Sequence, residues 1–339
     1  MELVYKVKDR PPFGKLLISA LQQLLAIMAA TIAVPAIIGN GMSASAALFG
    51  AGVGTIVYLL FTRFKSPVFL GSSFAFLGGY ATIAPMINGQ PNKEMLPYAC
   101  FGVACAGLVY VILSALFKAF GAKKVMRFFP PIVTGPIIIA IGLNLSSSAI
   151  NNCTGSWWIA IAAILIIVAA NIWGKGMIKI IPILLGVIGS YVVAVICDAS
   201  VRETLVQNVS NAKWFALPIY KEETVFGLLT SGNVDAHLLL TSVITIVPLS
   251  LATMVEHIGD VSAISSTCNR NYIENPGLHR TLMGDGLATT LAALFGAPAN
   301  TTYGENTGVL ALSKIYDPRV IRIAAILAMC FSFSPKFAA

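Results

Sequence analysis

Residues 300–314 read NTTYGENTGVLALSK and contain the interruption that decides the fold. The apolar part, residues 303–315, is too short to cross a bilayer as a helix, since a spanning helix needs about 20 residues. It follows a stretch rich in Gly, Pro, Asn and Thr at 296–302. Non-helical backbone at membrane depth persists only where protein buries it or where it lines a cavity. This stretch therefore predicts a half-helix that begins inside the membrane beside a cavity.

The composition is that of a polytopic membrane protein. Of 339 residues, 57% are hydrophobic and 11% charged, with a mean hydropathy of +0.83, whereas a soluble domain has about 25% charged residues. A water-soluble enzyme, a disordered chain and a nucleic-acid binder are thereby excluded. Six Cys are too few for a disulfide scaffold. We predict neither a catalytic residue nor a metal site, and we expect no cleavable signal peptide, because the first apolar run continues into a span.

Eleven apolar segments are predicted to cross the membrane. They are residues 13–39, 43–62, 68–87, 97–120, 131–150, 157–173, 178–197, 236–255, 282–295, 303–315 and 320–339. The hydrophilic stretch 198–235 separates seven spans from four, and the third span of each block is interrupted. We therefore predict an all-α, seven-plus-seven inverted-repeat transporter fold, with half-helices and short strands in spans 3 and 10 and the last spans missing.

The placement of Lys and Arg predicts the orientation, because cytoplasmic loops carry an excess of these residues. With the N-terminus inside, most of the 22 basic residues fall in inner segments. The outer side then holds only Lys93, Arg202, Lys213, Lys221 and Lys336. We expect a multi-pass protein of the cytoplasmic (inner) membrane, surrounded by the lipid bilayer, with a cytoplasmic N-terminus.

Four acidic residues fall within or beside the predicted spans: Glu256 and Asp260 at the end of span 8, Asp285 in span 9 and Glu305 at the start of span 10. A carboxylate at bilayer depth costs about 2.5–3.5 kcal/mol on insertion scales, so such residues usually line a pathway. Glu256 and Asp260 share a helix face, and two acids without a cation there leave a proton to be shared or transferred. His257 lies about 100° round the helix and is predicted to pack or to support the site.

The two interrupted spans predict a binding slot. A half-helix in span 10 would direct its free N–H groups, which form the positive end of the helix dipole, towards the midplane of the bilayer. In span 3, Ser72 and Ser73 are predicted to cap a second half-helix, and Phe74 offers an aromatic face. Such an arrangement suits a flat, neutral, hydrogen-bonding molecule, which stacks on the ring and meets amides and carboxylates at its edges.

Four motifs in order resemble the nucleobase–ascorbate transporter family. They are residues 71–76 in span 3, 254–260 in span 8, 284–286 in span 9, and the signature at 304–314, in which Ser313 replaces the usual Thr. The resemblance implies a fourteen-span fold in which a core domain, spans 1–4 and 8–11, moves against a gate domain, spans 5–7 and 12–14. On this chain the core would comprise residues 1–129 and 236–339 and the gate residues 130–235, the remaining gate spans being cut off.

The family resemblance also implies a nucleobase site that needs no cofactor. Glu256 and Glu305 would hydrogen-bond the base, Phe74 would stack on it, and backbone amides would complete the cradle. The implied substrate-binding residues are Glu256, Glu305, Phe74, Tyr303, Gly304 and Ser73. The implied residues for proton coupling or support are Asp260, Asp285, Asn306 and Gln23, where Gln22-Gln23 stands in place of the family's usual Gln-His.

From these features we predict proton-coupled uptake of a nucleobase by alternating access. Glu305 favours uracil, because family members that handle xanthine usually carry Gln there. The alternatives are a xanthine or purine permease of the same family, sodium in place of the proton, and an anion transporter of the same architecture, which a carboxylate at the half-helix end disfavours. A membrane-embedded hydrolase is disfavoured because Leu282 stands where its motif has Gly. The expected partners are the small-molecule base and, through the gate spans, a second copy of the chain.

Overall fold

The computed structural model describes residues 12–87, 90–125, 127, 131–232 and 234–338, and the chain there is mostly helical. The helices are α1 Phe13–Ile38, α2 Ala44–Phe61, α3 Leu77–Ile83, α4 Leu96–Phe120, α5 Ala122–Val125, α6 Pro131–Cys153, α7 Trp157–Trp173, α8 Met177–Ile180, α9 Pro182–Cys197, α10 Ala199–Asn211, α11 Val225–Thr230, α12 Ala236–Ile246, α13 Leu249–Thr267, α14 Leu278–Leu294, α15 Gly304–Ser313, α16 Pro318–Ser332 and α17 Pro335–Ala338. The strands are β1 Leu70–Ser72 and β2 Asn300–Thr302. The predicted inner-side residues Lys6, Lys8 and Arg10 lie outside the described residues.

Each of the eleven predicted spans contains a helix, but the helices differ in length. Among the described residues, four helical stretches are long and apolar enough to cross a membrane: Phe13–Ile38, Ala44–Phe61, Leu96–Phe120 and Ala236–Thr267, the last of which comprises α12 and α13. A fifth is obtained if α9 and α10, which meet at 112°, count as one span. The other spans are short or broken. Span 7, for example, is divided at Ile181, where Pro182 begins α9.

The predicted end of span 8 is wrong. The span was expected to stop at residue 255, but α13 continues to Thr267. Pro248 separates α12 from α13 within this single span, which runs from Ala236 to Thr267. A proline has no N–H to donate and clashes with the preceding turn, so it separates the two helices. As a result, Glu256 and Asp260 lie in the interior of α13 and not at a helix end.

The predicted short strands of spans 3 and 10 are present and pair with each other. β1 and β2 run antiparallel, with Leu70 opposite Thr302 and Ser72 opposite Asn300. The amide of Ser73 extends the pairing by donating to the Ala299 carbonyl at 2.7 Å. Each strand leads into a short helix, β1 into α3 and β2 into α15. Two interrupted spans that are far apart in sequence therefore meet at one buried junction.

Polar side chains from α2 and α14 hold this strand pair in place. Asn300 Nδ2 donates to the Gly50 carbonyl at 3.0 Å and to the Ala288 carbonyl at 3.3 Å. The Thr289 hydroxyl donates to the Asn300 carbonyl at 2.9 Å, and the Leu70 amide donates to the Thr55 hydroxyl at 2.9 Å. These bonds satisfy buried backbone groups that a two-stranded ribbon leaves open.

Replacement of Gly54 by Ala is expected to destabilise the protein through this network. An added Cβ at Gly54 would lie 2.1 Å from Asn300 Nδ2 and 3.1 Å from the Ala288 Cβ. Such crowding of a packed core costs about 1–3 kcal/mol, so the unfolding temperature in detergent should fall by several degrees. Gly78→Ala is the matched control, because a Cβ there meets no atom within 4 Å. Equal thermal stability of both variants would contradict the network's role.

Close helix packing surrounds the junction. α14 packs along α4 and α2, and α16 packs along α2 and α1. The crossing of α4 with α14 is tight, since a Cβ on Gly107 would lie 2.6 Å from the Gly286 carbonyl oxygen. Small residues allow such approach between membrane helices. α7 and α9 pack mainly on each other, and α9 also contacts α1.

Candidate functional site

The four predicted acidic residues are brought together around the strand junction. α13 carries Glu256 and Asp260 and packs against β2, α14 and α15. Asp285 lies within α14, and Glu305 lies in the first turn of α15. The carboxylate of Glu256 interacts electrostatically with those of Asp260, Asp285 and Glu305.

The four carboxylates differ in their access to solvent. Asp285 is fully buried, Glu256 and Asp260 are half-buried, and Glu305 is exposed. Glu305 borders a cavity of about 210 Å³ between α1, α8–α9 and α15, whose lining also includes Lys179 and Pro182. Sequence reasoning missed Lys179, because nothing in its local sequence indicates that it lies across a cavity from Glu305.

Asp260 is attached to the strand junction. The hydroxyl of Thr302, the last residue of β2, donates a hydrogen bond to Asp260 Oδ2. A hydrogen bond to an ionised acceptor is about twice as strong as a neutral one. The contact therefore fixes the face of α13 that carries Glu256 relative to β2. Thr302 was not singled out by the sequence, since this pairing joins residues 42 positions apart.

His257 contacts Asp285, one helix away. Nδ1 of His257 lies 2.9 Å from Oδ2 of Asp285, and both side chains are fully buried. The contact does not have the geometry of a hydrogen bond. The edge of the Tyr58 ring packs against the imidazole, with ring centroids 6.3 Å apart. The predicted supporting role of His257 thus acquires a specific partner.

The predicted capping role of Ser72 and Ser73 is wrong. α3 begins at Leu77 after Phe76 and has no side-chain cap. Both serines belong to the strand junction instead, and their buried hydroxyls make no hydrogen bond within the described part of the chain. Phe74 lies between this junction and α3, half-buried against the core that contains Tyr80. The ring of Phe74 therefore lies beside the strand junction, and the neighbouring helix α3 has no side-chain cap.

The side chain of Tyr303 connects the two interrupted spans. Its hydroxyl donates to the Ser72 carbonyl at 2.5 Å, and its ring fills the space above Gly71, where a Cβ would lie 2.5 Å from Tyr303 Cε2. The side chain is thus engaged in the fold, and only the backbone of Tyr303 is left for a ligand. α15 then starts at exposed Gly304 with no side-chain cap, which leaves N–H groups of its first turn available.

Several buried polar groups around the junction have no protein partner. The side-chain carbonyl of Gln23 and both polar atoms of Asn306 form no hydrogen bond within the described residues, although the two residues are 1% and 0% exposed. The buried hydroxyls of Thr301 and Thr307 likewise form no hydrogen bond within the described residues. An unsatisfied buried polar group costs about 1–3 kcal/mol. The sequence analysis predicted roles for Gln23 and Asn306 but not for the two threonines. Their position on either side of the start of the half-helix could have identified them.

The architecture and this cluster define a membrane transporter of the type built around two interrupted spans. A family model described as the "Permease family" of xanthine/uracil permeases matches residues 14–339. The uracil permease of Bacillus subtilis (strain 168) is 37% identical over 349 residues, covering 98% of this chain and 75% of that protein. The uracil permease of Bacillus caldolyticus is 35% identical over 345 residues, covering 99% and 75%.

A solved structure gives the same result for the fold. The transmembrane domain of the cyanobacterial bicarbonate transporter BicA superposes with a TM-score of 0.61 at 15% identity, covering 98% of this chain and 89% of that one. The chain belongs to the nucleobase–ascorbate transporter family, in its uracil permease branch. It is accordingly a multi-pass membrane transporter and not an enzyme.

Proposed function

We propose that the chain carries a nucleobase, with uracil as the preferred substrate, across the cell membrane into the cytoplasm. The observation that carries the proposal is the junction of β1 with β2, at which four carboxylates and an uncapped helix start converge. The relatives named as uracil permeases support the choice of substrate.

The chemistry of the junction matches that of uracil. Uracil is flat and neutral, and it offers ring N–H donors beside carbonyl acceptors. The carboxylates of Glu256 and Glu305 accept from N–H groups, whereas the first-turn amides of α15 at Gly304 donate to a carbonyl. Phe74 provides the stacking face. The unsatisfied side chains of Gln23 and Asn306 supply further polar atoms around the slot.

Transport proceeds in this proposal by alternating access with proton coupling. The core, residues 1–129 and 236–339, carries the substrate slot and moves against a gate in residues 130–235, as halves of an inverted repeat. Protonation within the carboxylate cluster lowers its negative charge and permits binding, and release of base and proton to the cytoplasm resets the site. The N-terminus is cytoplasmic, and gate helices of two copies associate in the membrane.

The proposal is tested by uptake of labelled uracil into proteoliposomes containing the purified chain. An inward proton gradient should drive accumulation, a protonophore should abolish it, and replacement of sodium by choline should leave it unchanged. Unlabelled uracil should compete better than xanthine, and sulfate or bicarbonate should not compete. Equilibrium binding of uracil to the detergent-purified chain is measured in parallel. Absence of both saturable binding and uptake, or stronger competition by an anion than by uracil, would overturn the proposal.

A further inference from the structure

The cavity beside Glu305 lies between the predicted core and the predicted gate. Its core wall is formed by α1 and by one face of α15, which carries Glu305, Gly308 and Val309 at positions i, i+3 and i+4. Its gate wall is the break in span 7, where α8 ends and Pro182 begins α9. The cavity therefore extends along α15 from the start of the half-helix, away from the strand junction.

The two charged groups of this cavity are a carboxylate and an ammonium group. Among its lining residues in the described part of the chain, only Glu305 and Lys179 carry a charge, and both side chains are exposed. The rest of the lining is mostly apolar, and the side-chain amide of Asn171 already donates to the Ile167 carbonyl at 3.1 Å. Neither Lys179 nor Glu305 belongs to the ion pairs that the described side chains form. Opposite charges thus line one cavity from two sides without being in contact.

The geometry leaves room for the two walls to approach each other. A Cβ added at Gly308 would meet no atom within 4 Å, so the space in front of this face of α15 is open. α8 contacts both α15 and α1, and α9 contacts α1, so the segment that carries Lys179 already adjoins the core. A lysine ammonium sits on a flexible four-carbon stem. A small shift of core against gate therefore brings the ammonium group of Lys179 to the Glu305 carboxylate.

We propose that Lys179 closes the empty slot by pairing with Glu305, and that the base competes with Lys179 for this carboxylate. The inference rests on the proposed function, because it takes Glu305 as an acceptor for the base. Without substrate, attraction between the two charges draws the gate wall onto α15. When the base occupies Glu305, Lys179 is displaced and the cavity stays open. Lys179 is thus a positioning residue that sets the fraction of the empty protein open to substrate.

The first experiment tests the pairing by chemical crosslinking of the purified full chain. A carbodiimide joins a lysine amine to a carboxylate that it contacts, forming an amide bond while the carbodiimide takes up the water released. Mass spectrometry of the digested protein should show a crosslink between Lys179 and Glu305, and saturating uracil should suppress it. Lys175→Gln is the matched control and should crosslink like the unmodified chain, since Lys175 is exposed four positions earlier and lies outside the cavity lining. No crosslink, or one that persists when uracil occupies the site, would overturn the proposal.

The second experiment measures uracil affinity at low and high salt. An exposed ion pair changes an equilibrium by up to about fivefold, so Lys179→Gln should bind uracil about threefold to fivefold more tightly. High salt should tighten binding to the unmodified chain towards the same value, because it screens exposed charges, and should leave Lys179→Gln unchanged. Lys179→Arg keeps the charge and should bind like the unmodified chain. In a Glu305→Gln background, Lys179→Gln should have no further effect.

The salt dependence and the coupling to Glu305 separate this role from a merely structural one, which produces neither. Unchanged or weaker uracil binding by Lys179→Gln, or an equal gain in the Glu305→Gln background, would overturn the proposal. If the unmodified chain binds no uracil, the proposed function fails, and the crosslink alone decides whether Lys179 pairs with Glu305.

Discussion

Glu256→Gln is expected to weaken uracil binding about 100-fold, the largest effect of any single change in the site. Glu256 lies in the interior of α13, half-buried, on the helix that Thr302 fastens to the strand junction. Its carboxylate accepts an N–H of the base, and hydrogen bonds to charged groups contribute about 1.5–3 kcal/mol each. The amide keeps the volume but presents donor hydrogens towards a donor, so the loss should approach the upper end of that range.

The measurement is equilibrium binding of labelled uracil to the purified variant at the pH of tightest binding. Glu203→Gln is the matched control, because it makes the same carboxylate-to-amide change at an exposed position on α10. The control should bind like the unmodified chain, and both variants should unfold at the same temperature. Unchanged affinity in Glu256→Gln would place the substrate elsewhere.

Glu305→Gln is expected to have the second largest effect, with uracil affinity falling about tenfold and competition by xanthine increasing. Glu305 is exposed to the cavity at the first turn of α15, so water competes for its hydrogen bonds and its contribution is about half that of a buried charged contact. An amide can donate as well as accept, so it tolerates a base edge that carries a carbonyl where uracil presents an N–H.

Competition assays with uracil and xanthine on the same preparation measure this change in preference. Thr307→Val provides a further comparison, since it removes a buried hydroxyl two positions along α15 and keeps the charge of Glu305. If Glu305→Gln leaves the ratio of uracil affinity to xanthine affinity unchanged, Glu305 does not take part in recognising the base.

Much of the architecture could be predicted from the sequence because lipid restricts the choices of the backbone. The long apolar runs give α1, α2 and α4, and the Gly- and Thr-rich stretches around residues 71 and 301 give the two interruptions. A half-helix near residue 304 follows from the same pattern. The four acids were recognisable because ionisable residues are rare at this depth.

Other features depend on contacts between distant parts of the chain and could not be predicted. The register of β1 with β2 joins residues about 230 positions apart, and local sequence carries no information on it. The same holds for the pairing of His257 with Asp285, because helix geometry showed only that His257 points away from Glu256. The expected serine caps failed because the sequence does not reveal that β1 pairing occupies the serines' backbone.

The boundary error in span 8 has a different cause. Hydropathy falls once Glu256 and Asp260 enter the window, so the predicted span stopped at residue 255, although α13 continues to Thr267. In a transporter, acids that face an interior site interrupt the apolar pattern without ending the helix. Acidic residues near the end of an apparent span are therefore better interpreted as candidate substrate-site residues than as the end of the helix.

The central claim is that the base binds between Phe74, Glu256 and the start of α15. The most direct measurement is the crystal structure of the chain soaked with 5-bromouracil, in which anomalous scattering locates the bromine. The account predicts one bromine peak in this slot, with the pyrimidine ring stacked on Phe74 and a ring nitrogen about 3 Å from a Glu256 carboxylate oxygen. A peak at the lipid-facing surface or in another part of the protein, with this slot empty, would contradict it.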